Sequence, residues 1–294
     1  MSYQSVFHKD LFKHSNIIVT GAGSGIGRCT AHELASLGAR ILLVGRSEEK
    51  LLNVQQEIQQ DGGHADYACC DIRDEEAVKE LVAHQVSQRG PIHGLVNNAG
   101  GQFPAPLANI SKNGWNAVVN TNLTGGFLMA REVFNQSMEQ HGGSIVNIVA
   151  DMWAGMPGMG HSGAARAGMA NFTQTAAYEW GFAGVRVNAV APGWIASSGM
   201  DTYPDEFKEV LKSLPAAVPL SRLGNESEVS SAICYLLSAA ASFISGTVIR
   251  IDGAASQGNT AMYPLKKGNA SEPYHGFHRE VEPELFKQGS LKID

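Results

Sequence analysis

The stretch "DMWAGMPGMGHSGAAR", residues 151–166, brings four chemically active side chains close together in the chain. They are a carboxylate, an imidazole, a hydroxyl and a guanidinium, at Asp151, His161, Ser162 and Arg166. A carboxylate or an imidazole can pass a proton, a hydroxyl can hold a substrate oxygen, and a guanidinium can hold an anion or a sugar hydroxyl. These residue types indicate proton transfer at a substrate oxygen, provided that the fold brings the side chains to one cavity.

The elements that would position them alternate between short apolar runs and longer amphipathic ones. The strand-like runs are residues 16–20, 40–45, 65–70, 93–98, 144–149, 185–192 and 247–252. Helical periodicity covers residues 25–37, 47–60, 74–88, 113–139, 162–181 and 226–238. Near-continuous apolar strands joined by helices predict a parallel sheet that is covered on both faces. The expected fold is α/β: one doubly wound, Rossmann-type domain with a seven-stranded parallel sheet flanked by helices.

The chain changes character near residue 253. No internal repeat or Gly/Ser-rich linker interrupts residues 1–253, so this part is expected to form one domain. Residues 254–294 contain several prolines and glycines, which predict an irregular C-terminal extension that packs on the core or on a neighbouring subunit. Its candidate contacts are the aromatic residues Tyr263, Tyr274, Phe277 and Phe286.

Composition excludes several classes of partner. Apolar residues make up 44% of the 294 residues, and the formal net charge is -6 without any run of like charges. Nucleic acids and membrane surfaces need clustered Lys and Arg, so a small-molecule substrate fits better. No segment approaches the ~18 apolar residues of a membrane span, and the N-terminus lacks a signal-peptide core. The four cysteines lack metal-ligand spacing, so we expect a cytoplasmic protein without a metal site.

The first predicted strand runs directly into the glycine-rich sequence "TGAGSGIG" and then into a helix. In such a turn the first glycine permits a tight bend, the second lets backbone approach a pyrophosphate, and the third allows close helix packing. The N-terminus of the helix supplies N–H groups and a dipole for the anion. The sequence therefore predicts a dinucleotide site at this turn, formed by Gly21, Ser24, Gly25, Ile26 and Gly27.

Five motifs in a fixed order resemble those of the short-chain dehydrogenase/reductase family. They are "TGAGSGIG", "NNAG", "NLTGGF", "VNAVAPG" and "IDG", and the resemblance spans residues 16–253. It implies an oxidoreductase whose domain binds a nicotinamide cofactor and catalyses the reaction, assembled as a homo-oligomer, commonly a tetramer. The contacts that it implies for the rest of the cofactor fall on Asp71, Ile72, Asn98, Ala99, Gly100, Arg166, Pro192, Gly193 and Ile195.

Two branches of the family are similar to different parts of the chain. "NNAGGQFPAPL" and "HGGSIVNI" resemble the branch with peroxisomal trans-2-enoyl-CoA reductases, to which 2,4-dienoyl-CoA reductases are more distantly similar. "ADMWAGMPGMGHSGAARAGM" and "GFHR" resemble bacterial citronellol/citronellal dehydrogenases of acyclic terpene catabolism. The two branches imply different reactions.

The end of the second predicted strand indicates which nucleotide is bound. NAD enzymes usually place a carboxylate there to hold the ribose 2′-hydroxyl, whereas this chain has Arg46 and Ser47. A charge-assisted bond from Arg46 to a 2′-phosphate contributes about 1.5 to 3 kcal/mol. We therefore predict NADP(H), with the alternative that Arg46 only stacks on adenine.

The residues that carry the chemistry in this family are altered here. The family's usual mechanism uses a Ser for the carbonyl, a Tyr for the proton, a Lys that lowers the pKa of this Tyr, and an Asn, which is kept as Asn122. The other three positions hold Val149, Ser162 and Arg166. Ser162 cannot replace a phenol of pKa about 10, and Arg166 can hold the nicotinamide ribose but cannot release a proton at neutral pH. Asn122 and Ser162 are then left to orient the substrate oxygen.

Two other side chains are candidates for the proton. Asp151 sits among methionines and a tryptophan, and such a pocket could raise its pKa from about 3.9 toward neutrality. The alternatives for Asp151 are an ion pair with Arg166 or an exposed loop position. Histidine exchanges protons near neutral pH, but the first expectation for His161 is a buried structural residue bonded to backbone. The Met/Trp cluster is either ordinary packing or a deformable apolar pocket.

Chemistry ranks the candidate functions. Reduction of an enoyl thioester places charge on the thioester oxygen and a proton on carbon, so it tolerates the loss of a phenol. An NADP(H)-dependent enoyl-thioester (acyl-CoA-type) reductase therefore comes first. A terpenoid alcohol/aldehyde dehydrogenase, which needs a base, comes second. The third hypothesis is a non-catalytic NADP-binding protein, whose pocket would be filled by side chains.

Overall fold

The computed structural model describes residues 2–203, 205–258, 264–266 and 270–287. The strands are β1 Asn16–Thr20, β2 Arg40–Gly45, β3 His64–Cys69, β4 Gly94–Asn97, β5 Gly143–Ile148, β6 Val185–Pro192, β7 Ile195–Ala196, β8 Gly224–Asn225 and β9 Val248–Ile251. The α-helices are α1 Gly25–Ser36, α2 Glu48–Gln60, α3 Glu75–Arg89, α4 Lys112–Val119, α5 Gly125–Val133, α6 Glu139–His141, α7 Gly160–Glu179, α8 Asp205–Ser213 and α9 Glu226–Leu237.

Seven strands form one parallel sheet in the order β3-β2-β1-β4-β5-β6-β9, which confirms the predicted fold class. Helices cover both faces, so neighbouring side chains of one strand enter different apolar clusters. Ile17 packs in one cluster and Ile18 in the other, and both are almost fully buried. The strand order reverses between β1 and β4, and a crevice opens there at the carboxyl ends of the strands.

The predicted helix over 113–139 is interrupted twice. Wider π-helical turns at Asn120–Thr124 and Phe134–Met138 separate α4, α5 and α6. The apolar periodicity continues through both turns, so the pattern predicts one helix. The first wide turn carries Asn122 inward, which serves the site described below. The sequence analysis also missed α8 and the small β7–β8 pair. The strands of that pair have two residues each, which is too short for a periodic pattern.

The described part of the C-terminal extension packs against the N-terminal segment and α1. The ring of Phe277 stacks on Tyr3 at 5.7 Å between centroids, and the guanidinium of Arg28 lies 5.0 Å from the Phe277 centroid. The backbone N–H of Gln4 donates to Gly276 at 2.9 Å. Tyr263 lies outside the described residues. No helix among the residues described is long and apolar enough to cross a membrane.

Candidate active site

Two adjoining cavities lie at the carboxyl ends of the central strands. The main cleft has a volume of about 690 Å³, and a smaller cavity of about 220 Å³ continues from it past Gly21 and Ala99. Predicted site residues that line the main cleft are Gly21, Ser24, Ile26, Asn98, Ala99, Gly100, Asp151, Arg166, Pro192, Gly193 and Ile195. Those that line the smaller cavity include Arg46, Ser47, Asp71 and Ile72. The described side chains leave this cleft open, whereas the pocket of a non-catalytic binding protein would be filled by side chains.

The glycine turn after β1 is held tightly against the end of β4. Gly21 and Gly25 have φ of 64° and 58°, a region that favours glycine. A Cβ on Gly27 would lie 2.4 Å from the Gly21 carbonyl oxygen, so only glycine fits. The Asn98 side chain donates to Thr20 O at 2.9 Å and fixes the turn. The turn leaves the N-terminus of α1, without a side-chain cap at Ser24, open toward the cleft.

The smaller cavity is rich in cations. Arg46, Lys50 and Arg73 all line it. The Arg73 side chain donates three hydrogen bonds to Asp71, from Nε to Oδ1 at 2.8 Å and to Oδ2 at 3.1 Å, and from Nη2 to Oδ2 at 2.5 Å. These bonds keep the pKa of Asp71 at about 2. Asp71 is therefore ionised and already paired, so an adenine amino group would have to share it with Arg73. Arg46 and Lys50 have no such carboxylate partner among the described residues.

Arg166 is a cation without a described acidic partner. Its Nη1 donates to Ile148 O at 2.5 Å, while its Nε is buried without a partner in the part of the chain described. Burial lowers the pKa of Arg166 to about 10, so it stays charged at neutral pH. A Cβ on Gly100 would lie 2.5 Å from its Nη2, which makes the absence of a side chain there necessary. The predicted alternative of an Asp151–Arg166 ion pair does not occur.

Asn122 and Ser162 lie behind the residues that line the cleft. Asn122 Oδ1 accepts from Gly101 N at 2.8 Å, and its Nδ2 donates to Gly101 O at 3.0 Å. Ser162 Oγ donates to Gln102 Oε1 at 2.7 Å. Both side chains are buried and neither lines the cleft. Asn122 thus holds the backbone of Gly101, and Ser162 holds the side chain of Gln102. That either residue orients a substrate oxygen stays a prediction.

His161 also lies outside the cleft lining. Its side chain is 0% exposed and meets Phe103 edge-on, with ring centroids 4.4 Å apart. Neither ring nitrogen has a hydrogen-bond partner within the described residues. A proton carrier needs a path to its substrate, so this placement favours the structural alternative for His161.

Asp151 faces the cleft and is half-buried. Partial burial raises the pKa of Asp151, the negative charge of Asp252 raises it further, and the Trp153 N–H and the charge of Arg250 oppose these effects. The Arg250 guanidinium lies 3.8 Å from the Trp153 ring centroid, which holds the loop after β5 against β9. The cleft therefore contains a carboxyl group of raised pKa, and the role of Asp151 in proton exchange stays a prediction.

Sequence reasoning missed several residues of the cleft. Gln102 and Tyr203 line it and are bonded, Gln102 Nε2 to Tyr203 Oη at 3.0 Å. Gln102 directly follows the "NNAGG" motif, so its position could have been found from the sequence. Tyr203 lies in a segment without any motif. The apolar wall comprises Met156, Pro157, Met159, Trp194 and Met200.

A family model described as "Enoyl-(Acyl carrier protein) reductase" matches residues 21–256. The chain belongs to the short-chain dehydrogenase/reductase family. It is an oxidoreductase that acts on a small molecule with a nicotinamide cofactor, as this family does.

Three similar proteins illustrate the range of substrates. A Bacillus subtilis protein named "Probable 2,4-dienoyl-CoA reductase" is 35% identical over 81% of this chain and 94% of its own length. The structure of a citronellol catabolism dehydrogenase (AtuB) of Pseudomonas aeruginosa is 63% identical with a TM-score of 0.79, over 87% of this chain and 100% of that one. A structure assigned to an NAD(P)-dependent gluconate 5-dehydrogenase of Beutenbergia cavernae, with NADP bound at low occupancy, is 30% identical with a TM-score of 0.79, over 84% and 99%.

Proposed function

We propose that the enzyme is an NADP(H)-dependent dehydrogenase of acyclic, branched terpenoid alcohols or aldehydes. The observation that carries this proposal is Asp151, a carboxyl group of raised pKa in a cleft walled by methionines and a tryptophan. Oxidation of an alcohol must remove a proton from oxygen, and a base with a pKa nearer neutrality suits that step. The 63% identity to a citronellol catabolism dehydrogenase supports a substrate of this class. For this reason we rank this candidate ahead of the enoyl-thioester reductase, which came first in the sequence analysis.

The residues of both cavities fit NADP(H). The uncapped N-terminus of α1 faces the position of a pyrophosphate, and Arg46 and Lys50 line a cavity that would take the 2′-phosphate. The buried, unpartnered Nε of Arg166 is an orphaned donor that a ribose hydroxyl would satisfy. The nicotinamide supplies or accepts the hydride when the cofactor is bound.

In this proposal, different residues of the chain carry the proton, hold the cofactor and bind the substrate. Asp151 carries the proton to or from the substrate oxygen. Arg166 holds the cofactor ribose. Asn122 fixes the turn that faces Arg166, because its amide oxygen accepts from Gly101 N and its amide nitrogen donates to Gly101 O. The apolar wall binds the hydrocarbon chain and excludes water from the reacting atoms.

A second candidate is reduction of a 2-enoyl thioester. The matching family model and the similarity to a dienoyl-CoA reductase favour it. This reaction puts charge on the thioester oxygen and a proton on the α-carbon, so Asp151 would serve as an acid toward carbon.

One experiment separates the two candidates. Purified enzyme is mixed with NADP+ and citronellol, and separately with NADPH and a trans-2-enoyl-CoA, and the nicotinamide absorbance is followed. Turnover of citronellol with a kcat/KM at least tenfold above that of the thioester supports the first candidate. The reverse ratio supports the second, and turnover of neither would contradict both.

We also infer that the enzyme assembles as a homo-oligomer, most simply a tetramer. Aromatic side chains stand exposed at the end of α7, where Tyr178 is 91% and Phe182 78% exposed. Phe127 on α5 and Trp115 on α4 add partly exposed rings on a neighbouring surface. Such apolar surface is typical of a contact between subunits.

A further inference from the structure

A buried carboxyl group lies directly behind the glycine turn that follows β1. Glu226 is the first residue of α9, and only 4% of it is exposed. Its Oε1 atom lies 3.9 Å from the position that a Cβ on Gly25 would occupy. Ser24 and Ile26, on either side of Gly25, line the main cleft, whereas Gly25 and Glu226 do not. Glu226 therefore faces the turn from the protein interior and not from the cleft.

No donor among the described residues binds this carboxyl group. Burial is the largest influence on it and favours the neutral acid. Arg28 on α1 is the cation that acts on it, but the Arg28 guanidinium already donates to both oxygens of Glu57 at 2.8 Å and to Arg279 O at 3.2 Å. From the C-terminal extension, the negative charge of Glu280 opposes ionisation. Glu226 thus lacks the close partner that would hold it as a carboxylate.

The groups around Glu226 determine where it ionises. A further group near it is the thiol of Cys29, which is neutral because burial raises its pKa. The charge of Arg28 and the N-termini of α1 and α9 favour the carboxylate, whereas burial and the charge of Glu280 favour the acid. The balance raises the pKa of Glu226 to about 7. The charge behind the glycine turn therefore changes between slightly acid and slightly alkaline pH.

The N-terminus of α1 is the part of the site that an anion would use. Ser24 gives this end of the helix no side-chain cap, so its N–H groups and its dipole attract negative charge. A carboxylate at Glu226 and a pyrophosphate in the cleft would share this attraction and would repel one another across the turn. A unit charge within about 10 Å of an anion, at an effective dielectric constant of about 20, changes the affinity for that anion by roughly 3- to 30-fold.

We propose that Glu226 couples binding of the cofactor's pyrophosphate to the uptake of one proton from solvent. With Glu226 neutral, the turn presents the positive end of α1 alone. With Glu226 ionised, that charge is partly neutralised and the anion binds more weakly. By reciprocity, a bound pyrophosphate makes the Glu226 carboxyl hold its proton more tightly by the same factor. This inference goes beyond the proposed function, because it concerns the nucleotide and holds for any substrate.

ADP-ribose isolates this effect from the rest of the cofactor. It carries adenosine and a pyrophosphate, but neither nicotinamide nor a 2′-phosphate that would titrate near neutral pH. Its affinity for the purified protein is measured by calorimetry from about pH 6 to 9, in two buffers that differ in their enthalpy of ionisation. The difference in heat between the buffers gives the number of protons taken up. Affinity should fall by roughly 3- to 30-fold over this range, with uptake of roughly 0.3 to 0.7 proton where the fall is steepest.

Four variants assign the proton. Glu226→Gln keeps the shape and removes the charge, so its affinity should equal the acid-pH affinity of wild type at every pH, without proton uptake. Glu280→Gln removes the negative charge that opposes ionisation, so the fall in affinity should move to lower pH. Asp151→Asn removes the carboxyl of raised pKa that lines the cleft and should retain the proton uptake. Glu139→Gln, which is exposed on α6, is the neutral control.

Thermal unfolding reports the same ionisation without a ligand. Because the folded pKa of Glu226 lies above its unfolded value, this part of the stability is present below the unfolded pKa and is lost as pH rises through the folded pKa of about 7. The unfolding temperature of Glu226→Gln, measured relative to that of wild type, should therefore increase from about pH 5 to about pH 7 and then level off. Glu139→Gln should follow wild type throughout.

The outcomes separate this inference from the proposed function. Absence of ADP-ribose binding to wild type, a pH-independent affinity, or proton uptake that persists in Glu226→Gln would each overturn the role of Glu226, even if citronellol is oxidised. If Glu226→Gln does not fold, an unchanged pH of the transition in Glu280→Gln would overturn it instead. Proton uptake that depends on Glu226, in a protein that turns over neither substrate, would leave this inference standing while the proposed function fails.

Discussion

Replacement of Asp151 by Asn tests the central chemical assignment with little change in shape. Asn keeps an oxygen that can accept from the Trp153 N–H and removes the ability to titrate. A lost general acid or base lowers turnover by about 10²- to 10⁴-fold, which corresponds to roughly 2.7 to 5.4 kcal/mol in the barrier. Cofactor affinity should stay near that of wild type, because the predicted contacts with the nucleotide come from other residues.

The raised pKa of Asp151 determines whether each reaction rate rises or falls with pH. Partial burial and the charge of Asp252 raise the pKa of Asp151. Alcohol oxidation needs the carboxylate, so its rate should rise with pH through this raised pKa. Carbonyl reduction needs the acid, so its rate should fall as pH rises through the same value. In Asp151→Asn, neither the rise of the oxidation rate nor the fall of the reduction rate should remain.

The stability of wild type should fall over the same pH range in which its rate of alcohol oxidation rises. Because the folded pKa of Asp151 lies above its unfolded value, wild type is relatively most stable below the unfolded pKa and loses that stability as pH rises through the folded pKa. The loss should be small, because solvent screens the charge of this half-buried side chain. The unfolding temperature of Asp151→Asn, measured relative to that of wild type, should therefore increase slightly as the pH is raised from acid to neutral.

The assay follows the nicotinamide absorbance from about pH 5 to 9 in both directions, with a nucleotide titration of each variant. Asp66→Asn is the control, because Asp66 is exposed and pairs with Arg89 away from the cleft. Full activity with an unchanged pH profile in Asp151→Asn would refute the assignment.

Three further outcomes are expected. Arg46→Asp should weaken NADPH binding by about 2 to 3 kcal/mol, roughly 30- to 150-fold, and leave the affinity for NADH little changed. Equal affinity of wild type for both nucleotides in a titration would argue against a 2′-phosphate site. His161→Phe should keep the pH profile and not lower the unfolding temperature, since both ring nitrogens are buried without a described partner; loss of activity in a stable variant would assign it the proton. Light scattering should give an oligomer, and a monomer at working concentration contradicts that inference.

The fold and the nucleotide turn were predictable because their signals are local. A buried parallel strand such as β6 reads as a continuous apolar run, and its bounds follow directly from Val185–Pro192. The glycine turn needs positive φ at Gly21 and Gly25, and one short motif carries that requirement.

Other parts of the site depend on contacts between distant residues. Gln102 and Tyr203 are 101 residues apart, and nothing in either neighbourhood indicates that they meet. The roles expected for Asn122 and Ser162 came from the family pattern, whereas hydrogen bonds to Gly101 and Gln102 decide where these side chains point. The pairing of Asp71 with Arg73 spans two residues in sequence, yet only the loop geometry brings both nitrogens onto the carboxylate.

Arg166 cannot take part in the proton transfer that we propose for this enzyme. A guanidinium stays charged across the range in which enzymes work, and burial lowers the pKa of Arg166 only to about 10. It therefore supplies a fixed positive charge to the cleft and cannot exchange protons with a neighbouring hydroxyl. A titrating group is needed elsewhere, and it must not pair with Arg166, because an ion pair would lower its pKa away from neutrality. Asp151 meets both conditions: it lines the same cleft, and the charges that act on it come from Asp252 and Arg250. The loss of the usual tyrosine and lysine is thus consistent with catalysis, provided that Asp151 carries the proton.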